Sequence, residues 1–460
     1  MAEGRIFRPV IEAEKCRTCQ LCLGRCPTEW DLHAGPKEDQ MKALLYPVNI
    51  LERPSDQSSR LPVCQQACPI HQDTRGYAAL IAQGKRQEAL DLVRKDNPLP
   101  AVCGYICHHP CEAACLSSRL NEAIPLRLLK RFIAEEDLKT ESRLAPFKII
   151  KKARILIVGS GPAGLTAAHD LASLGYPVTI FESLPVLGGM LRVGIPAFRL
   201  PREILDKEIE RIRQRGVEMQ TRKTFFCQDI TKNLKRLGFR AAFLAMGAHQ
   251  SRRLSIPGER LAGVWGGVEF LRKFNLGQKI SLGARVIVLG GGNVALDCAR
   301  AALRLGAKEV RILYRRSLNE MPAIPEEIAA ARKEGIEFLF LSMPMGITKS
   351  KNNQLKMDCL KTILSEADAG GRRQPVPQPG SEFSLWANSI ISAIGQEVSR
   401  NISGELEVRT NGTLKIHPQT GHTSVKGVFA GGDVVTGPGW AIEAIAAGKK
   451  GAAAIHEFLS

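Results

Sequence analysis

No stretch of this 460-residue chain approaches the ~18 consecutive apolar residues that a membrane-spanning helix needs, so no membrane span is expected. The opening residues, MAEGRIFRPVIEAEK, contain no apolar h-region, so no secretory signal is expected and the cytoplasm is the default location. Apolar residues make up 44% and charged residues 24%. That globular composition excludes wholesale disorder and collagen-like or coiled-coil architectures. Three hydrolase and nucleotidase signatures are also missing: G-x-S-x-G, H-E-x-x-H and the Walker A loop. At roughly 150 residues per domain, the length suggests about three domains.

One sign of charge dominates what is present. Lys and Arg number 64 against 46 Asp and Glu, a net charge of +18. A basic surface attracts acidic partners. Many of these charges flank apolar periodic positions, as in GKRQEALDLVRK at 84–95, and read as a solvated helix face; no nucleic-acid partner is expected.

Ten of the thirteen cysteines fall before residue 116. A disulfide scaffold suits a small secreted domain, whereas clustered cysteines in a larger chain point to metal or redox chemistry. Cys16, Cys19, Cys22 and Cys26, followed by Pro27, form C-x2-C-x2-C-x3-C-P. This is the bacterial ferredoxin run, in which a tight loop wraps three corners of a [4Fe-4S] cube and the fourth cysteine commonly serves another cluster. Structural zinc is the competing reading. A second set comprises Cys64 and Cys68, then, after a helical stretch over Tyr77–Lys95, Cys103, Cys107, Cys111 and Cys115. A spacing of four suits one helix face, but Gly104 and Pro110 favour loops. Buried free thiols are the alternative here.

Two dinucleotide fingerprints follow. The apolar strand before Gly159 runs into Gly159-x-Gly161-x-x-Gly164 and then into a helical pattern. The three glycines serve the tight turn, the approach of backbone to a pyrophosphate, and close helix–strand packing. The next strand ends at Glu182, eighteen residues beyond Gly164, near the ~20 expected for a carboxylate that holds ribose hydroxyls. The second fingerprint is Gly290-Gly-Gly292-Asn293-Val-Ala295, with alanine in the third glycine position, which the motif permits. Its following strand, Val310–Tyr314, ends in Arg315 and Arg316 rather than an acid. Arginines bind a 2′-phosphate with charge-assisted hydrogen bonds, so NADPH is favoured over NADH; surface arginines unconnected with binding are the alternative. Residues 349–383 read as β-hairpin turns, not as a site.

The segment from Asn97 to Cys115 resembles the N-terminal iron–sulfur domain of the glutamate synthase small (β) subunit family. That domain is shared with the large subunit of NADH-dependent ferredoxin:NADP oxidoreductase and with dihydropyrimidine dehydrogenase. The resemblance implies a mostly helical domain with two [4Fe-4S] clusters. Cys64 and Cys115 would share one cluster, and Cys68, Cys107 and Cys111 would belong to the other. The sequence departs from the pattern where Asp56 and Ser59 stand in place of a leading C-x2-C, so the Cys16–Cys26 run supplies those ligands or holds a third cluster. Gly188-Gly189 and the strand ending in Gly431-Gly432-Asp433 resemble the flavin-passing stretch and the ribityl-binding aspartate of two-dinucleotide flavoproteins. Strand ends at Gly247 and Gly395 look like that family's crossovers. The resemblance covers about residues 60–460. Thioredoxin-reductase-like relatives carry a redox C-x-x-C in these domains. Here only Cys227, Cys298 and Cys359 remain after residue 115, and disulfide reduction is not expected.

The expected architecture is α/β, with a discontinuous FAD domain and an inserted NAD(P) domain, both Rossmann-like, behind a helical iron–sulfur domain. The expected boundaries are a ferredoxin-like segment at 1–35, a linker at 36–60, a [4Fe-4S] domain at 61–145, FAD parts at 150–275 and 386–460, and an NAD(P)H domain at 276–385. The implied function is an NAD(P)H-oxidising subunit that passes electrons through FAD and [4Fe-4S] clusters to a partner subunit or a ferredoxin. A hetero-oligomeric complex is expected, and electron bifurcation is one setting that the resemblance implies. Hydride transfer needs placement rather than a side-chain acid or base, so no conventional catalytic residue is expected. The alternatives are a genuine glutamate synthase small subunit and a zinc-stabilised, non-catalytic binding module.

Overall fold

A computed structural model describes residues 61–119, 122–140, 144–352, 354–367, 373–399 and 404–460. Cys16, Cys19, Cys22 and Cys26 lie outside the described residues. The chain divides into two compact units: residues up to Leu144 with Trp440–Ala446, and Ala145–Gly439 with Ala447–Ser460.

The first unit is helical: α1 (Val63–Ala67), α2 (Thr74–Ala82), α3 (Arg86–Asp96), α4 (Pro100–Ile106), α5 (Pro110–Ala113) and α6 (Leu126–Lys139). Asp73 caps α2 by accepting the Gly76 N–H at 2.8 Å. The helical stretch expected over Tyr77–Lys95 is built as two helices, because Gly84 takes φ +74° and turns the chain. The loops expected around Gly104 and Pro110 are also helices. Pro100 and Pro110 each stand in a first turn, where proline's missing N–H costs nothing. Gly104 is used for close packing: a Cβ there would lie 2.6 Å from the Cβ of Arg131 on α6. Tyr77, fully buried, donates its hydroxyl to the Leu126 carbonyl at 2.9 Å.

The second unit opens with β1 (Ile155–Val158), α7 (Pro162–Ser173), β2 (Val178–Phe181), α8 (Met190–Val193), α9 (Arg202–Gln214), β3 (Glu218–Gln220), α10 (Ile230–Leu237) and β4 (Ala241–Leu244). It continues through β5 (Gln250–Ser251), β6 (Val264–Gly266), α11 (Gly267–Asn275), β7 (Arg285–Leu289), α12 (Asn293–Arg304), β8 (Glu309–Leu313), α13 (Pro325–Lys333) and β9 (Glu337–Leu339). Then come β10 (Ser342–Lys349), β11 (Leu355–Ala367), β12 (Arg373–Pro377), β13 (Phe383–Ala387), β14 (Ser389–Ser392), β15 (Gln396–Glu397), β16 (Val428–Ala430) and α14 (Asp433–Thr436). The last helix, α15 (Ala441–Leu459), has its residues up to Ala446 in the first unit and the rest in the second.

Two five-stranded parallel sheets result, in the orders β16-β4-β1-β2-β3 and β6-β14-β7-β8-β9. Their central strands carry continuous buried apolar runs, Ile155–Val158 in β1 and Val286 to Leu289 in β7, which is the pattern of a sheet covered on both faces. The first sheet gains its outermost strand from near the C-terminus, so the chain leaves this sheet and returns to it. The second draws β6 and β14 from either side of 276–385. An antiparallel sheet of β10, β11, β12 and β13 stands between β9 and β14, and includes the hairpin read from the sequence.

A buried ion network ties the segment before α9 to the second sheet's helices. Arg199 meets Asp297 on α12 at 2.8 Å and Glu327 on α13 at 3.0 Å. Arg300 meets Glu327 at 2.6 Å and Glu334 at 2.9 Å, and stacks over Phe198. Burial pushes the Asp297 carboxyl up to about 6, against the pull of Arg199. Because its folded value lies above its unfolded one, its ionisation works against the fold as pH rises through about 6. Arg199→Ala removes the compensating charge, so it should cost roughly 3–5 kcal/mol at pH 8 and less at pH 5, where Asp297 is protonated. Adding Asp297→Asn should recover part of the loss. Urea unfolding of both variants at the two pH values checks this.

Candidate functional site

The first fingerprint is a strand–loop–helix turn between β1 and α7. Gly159 takes φ +104°. Gly164, in the first turn of α7, lies so close to the loop that an added Cβ would stand 2.0 Å from the Gly159 carbonyl oxygen. Gly161 differs: a Cβ there would meet nothing within 4 Å. It caps α7 with no side-chain hydrogen bond to the first turn. Uncapped N–H groups facing open space are the arrangement that receives an anion.

Glu182 follows β2 directly and is 5% exposed. Its Oε2 accepts from the Ser160 N–H at 3.0 Å and hydroxyl at 2.6 Å, and its Oε1 accepts from the Leu184 N–H at 2.8 Å. The Ser160 hydroxyl in turn accepts the Gly188 N–H at 3.0 Å. The glycine pair thereby sits against the loop between β1 and α7, and a Cβ on Gly189 would lie 2.8 Å from the Gly161 Cα. Ser160 organises all three segments. Sequence reasoning passed over it because it occupies a variable position of the motif; a small hydroxyl residue between two motif glycines was the available signal.

Gly432 and Asp433 stand where β16 meets α14, with Gly432 at φ +74° and Asp433 Oδ1 accepting the Gly439 N–H at 3.3 Å. The Gly431 N–H donates to the Leu244 carbonyl at 3.1 Å. The structure thus gathers Gly159, Gly161, Gly164, Glu182, Gly188 and Gly189 at one end of the first sheet, and Gly432 and Asp433 at the end of its outermost strand.

The second fingerprint repeats the geometry between β7 and α12. Gly292 caps α12 without a side-chain hydrogen bond, and the nearest atom to an added Cβ is 4.0 Å away. Gly290 lies against the Ala393 carbonyl at the end of β14, and Ala295 is fully buried beneath it. Asn293, the first residue of α12, accepts the Ile324 N–H through Oδ1 at 3.1 Å and so holds the loop before α13. The paired arginines part ways. Arg315 is exposed. Arg316 is 3% exposed; it donates from Nε to the Arg373 carbonyl at 2.7 Å and from Nη2 to Gln374 Oε1 at 3.1 Å. Its guanidinium is committed to β12, part of the hairpin that the sequence reading set aside.

In the helical unit, Cys64 lies on α1 and Cys68 ends it, Cys103 lies within α4 and Cys107 ends it, and Cys111 lies on α5 with Cys115 beyond. All six are free thiols, and five of them are buried. Burial pushes the Cys111 thiol up to about 12 and raises Cys107, with Cys68 acting on both. The His109 N–H donates to Cys107 Sγ at 3.3 Å. His108 stacks on Trp440 at 4.3 Å, and burial lowers its pKa. Among the described residues no three His, Cys, Asp or Glu side chains are grouped to hold a single metal ion. A four-iron cube spreads its thiolates farther apart than one ion with ~2.3 Å bonds does. An array of buried free thiols fits the cube, and iron binding there must displace their protons.

No helix among the described residues is long and apolar enough to cross a membrane. Residues 153–448 match the pyridine nucleotide-disulphide oxidoreductase family, and residues 57–142 match dihydropyrimidine dehydrogenase domain II, 4Fe-4S cluster. The NADP(+)-dependent formate dehydrogenase subunit beta of Moorella thermoacetica is 42% identical over 422 residues, covering 86% of this chain and 60% of that protein. The NADPH-Fe(3+) oxidoreductase subunit beta of Geobacter sulfurreducens is 37% identical over 428 residues, covering 86% and 63%. The glutamate synthase [NADPH] small chain of Escherichia coli is 32% identical over 421 residues, covering 86% and 89%. The chain therefore spans less than two thirds of the first two relatives. FprA of Mycobacterium tuberculosis, in complex with NADPH, is similar in fold, with a TM-score of 0.57 and 21% identity over 67% of this chain and 85% of that one. The cofactors are FAD, NADP(H) and a 4Fe-4S cluster. With both the dinucleotide fold and the glutamate synthase small-chain likeness in place, the chain belongs to the pyridine nucleotide-disulphide oxidoreductase family, as a member that carries a 4Fe-4S domain ahead of its two dinucleotide-binding sheets.

Proposed function

We propose that this chain is the NADPH-oxidising electron-transfer subunit of a larger redox enzyme, delivering electrons to a partner subunit or a ferredoxin. The observation that carries the reading is the union in one chain of two helices that start at a glycine with no side-chain cap and an array of free, mostly buried thiols. Bound FAD would convert the two-electron hydride into single electrons, which [4Fe-4S] clusters carry onward. The α7 N-terminus and Gly161 would receive the flavin pyrophosphate, Glu182 a ribose hydroxyl, and Gly189 the flavin's close approach. Asp433 would meet the ribityl chain. The α12 N-terminus with Gly290 and Gly292 would receive the nicotinamide dinucleotide, and Asn293 would keep the neighbouring loop open. Cys64, Cys68, Cys103, Cys107, Cys111 and Cys115 would supply cluster ligands, with the Cys16–Cys26 run serving these clusters or a third. Among the relatives named, the two beta subunits are more alike to this chain than the glutamate synthase small chain is, which supports a dedicated electron-input role. The +18 charge suits an acidic acceptor.

The test is an anaerobic spectrum titrated with NADPH and then NADH. NADPH should bleach the flavin and reduce the clusters; no bleaching with either nucleotide would sink the reading. The two arginines should then separate. Arg315→Ala should raise KM for NADPH about 10- to 100-fold, the worth of a lost charge-assisted hydrogen bond, and leave NADH nearly unaffected. Arg316→Ala should instead lower stability by about 1–3 kcal/mol, by stranding its partners on β12.

A further inference from the structure

Helix α6 buries Leu126, Lys130, Ile133, Ala134 and Leu138. One lysine therefore lies on an otherwise apolar stripe. Lys130 is 7% exposed. Among the described residues no carboxylate pairs with it. A buried ammonium without an anion is costly, and proteins resolve such a charge by pairing it.

The groups that act on Lys130 are thiols: Cys103 first, then Cys107, Cys111 and Cys68. Each of these is 0–9% exposed. α6 packs closely on α4 where Gly104 meets Arg131, and Cys103 and Lys130, the residues that precede these two, are both buried. The neighbouring carboxylate is committed elsewhere: Glu112 accepts the Arg127 N–H at 2.6 Å and faces His109 Nε2 at 3.7 Å. Tyr77, set among the same thiols, donates to the Leu126 carbonyl and carries no positive charge. Lys130 is thus the buried cation of a thiol-lined site.

We propose that Lys130 is a positioning residue for the [4Fe-4S] cluster at Cys68, Cys107 and Cys111, its ammonium serving as the buried counter-charge that raises that cluster's reduction potential. The inference rests on the reading of this unit as a cluster domain. Thiolate ligation brings negative charge to the site, and reduction adds one electron more. A fixed cation in a poorly solvated site favours the reduced form over the oxidised one.

The test uses the full chain, purified anaerobically. Wild-type protein labelled with [15N]lysine and reduced with dithionite should show, by pulsed EPR, a weak lysine-nitrogen coupling to one cluster that is altered in Lys130→Arg. In potentiometric EPR titrations, Lys130→Met should disfavour reduction of one cluster at least tenfold, about 59 mV for a one-electron step. Lys130→Arg should stay within a few-fold of wild type. An unchanged potential in iron-loaded Lys130→Met would overturn the proposal, as would the absence of any lysine coupling in wild type. If Lys130→Met fails to take up iron, the labelled wild type decides alone. Wild-type protein without any [4Fe-4S] signal would overturn the cluster reading itself, and this proposal with it.

Discussion

Gly164→Ala should yield a chain that purifies without flavin. The reason is geometric. The new methyl would stand 2.0 Å from the Gly159 carbonyl oxygen, a backbone atom that cannot rotate away. Relief requires α7 to move off the loop between Gly159 and Gly161. The same movement would disturb the Ser160 contacts that hold Glu182 and the Gly188 N–H in place. Overpacking of this kind costs ~1–3 kcal/mol, which a unit built on two five-stranded sheets should survive. A pyrophosphate held at the α7 N-terminus, as proposed, would by contrast need its N–H groups at one fixed place. The expected outcome is a folded protein with less than about a tenth of wild-type flavin per chain, since ~1.4 kcal/mol of lost binding is already tenfold. Absorbance at the flavin band, set against circular dichroism of the same sample, measures both. A flavin-replete Gly164→Ala would mean that the loop does not cradle the pyrophosphate.

Cys107→Ala should remove one cluster, about four irons per chain, while flavin reduction by NADPH persists. Cys107 ends α4, is 7% exposed, and receives the His109 N–H on its sulfur. It also shares its surroundings with Cys68 and Cys111. Removing it leaves too few thiolates for a cube at that place. NADPH should still bleach the flavin, whose proposed site lies in the second unit, but electron delivery to a one-electron acceptor that draws from that cluster should fall by roughly a hundredfold, the upper range for loss of a metal-site group. The control is Cys359→Ala. Cys359 is buried in the β11 strand among Leu355, Met357 and Ala387, and its loss should leave the iron count unchanged. Iron analysis and stopped-flow reduction of both variants decide the matter; full iron in Cys107→Ala would remove this residue from the ligand set.

The sequence by itself determined the parts of this protein that are built from neighbours along the chain. A parallel strand, a glycine turn and an uncapped helix must follow one another at set spacing to face a phosphate, so both fingerprints were legible in residues 155–173 and 285–304. Even the return of the chain to the first sheet could be read, through the pattern ending at Gly432 and Asp433. Tertiary structure decided what depends on partners distant in sequence. Arg315 and Arg316 are adjacent and chemically alike, yet in the bend after β8 one is exposed and the other is buried against β12, 57 residues away. Arg199 and Asp297 pair across 98 residues. Lys130 reads in isolation as one more charge on a basic helix, and only the packing of α6 onto α4 places it among thiols. Local patterns record spacing and residue type; burial and charge pairing are properties of surfaces that meet only once the chain has folded.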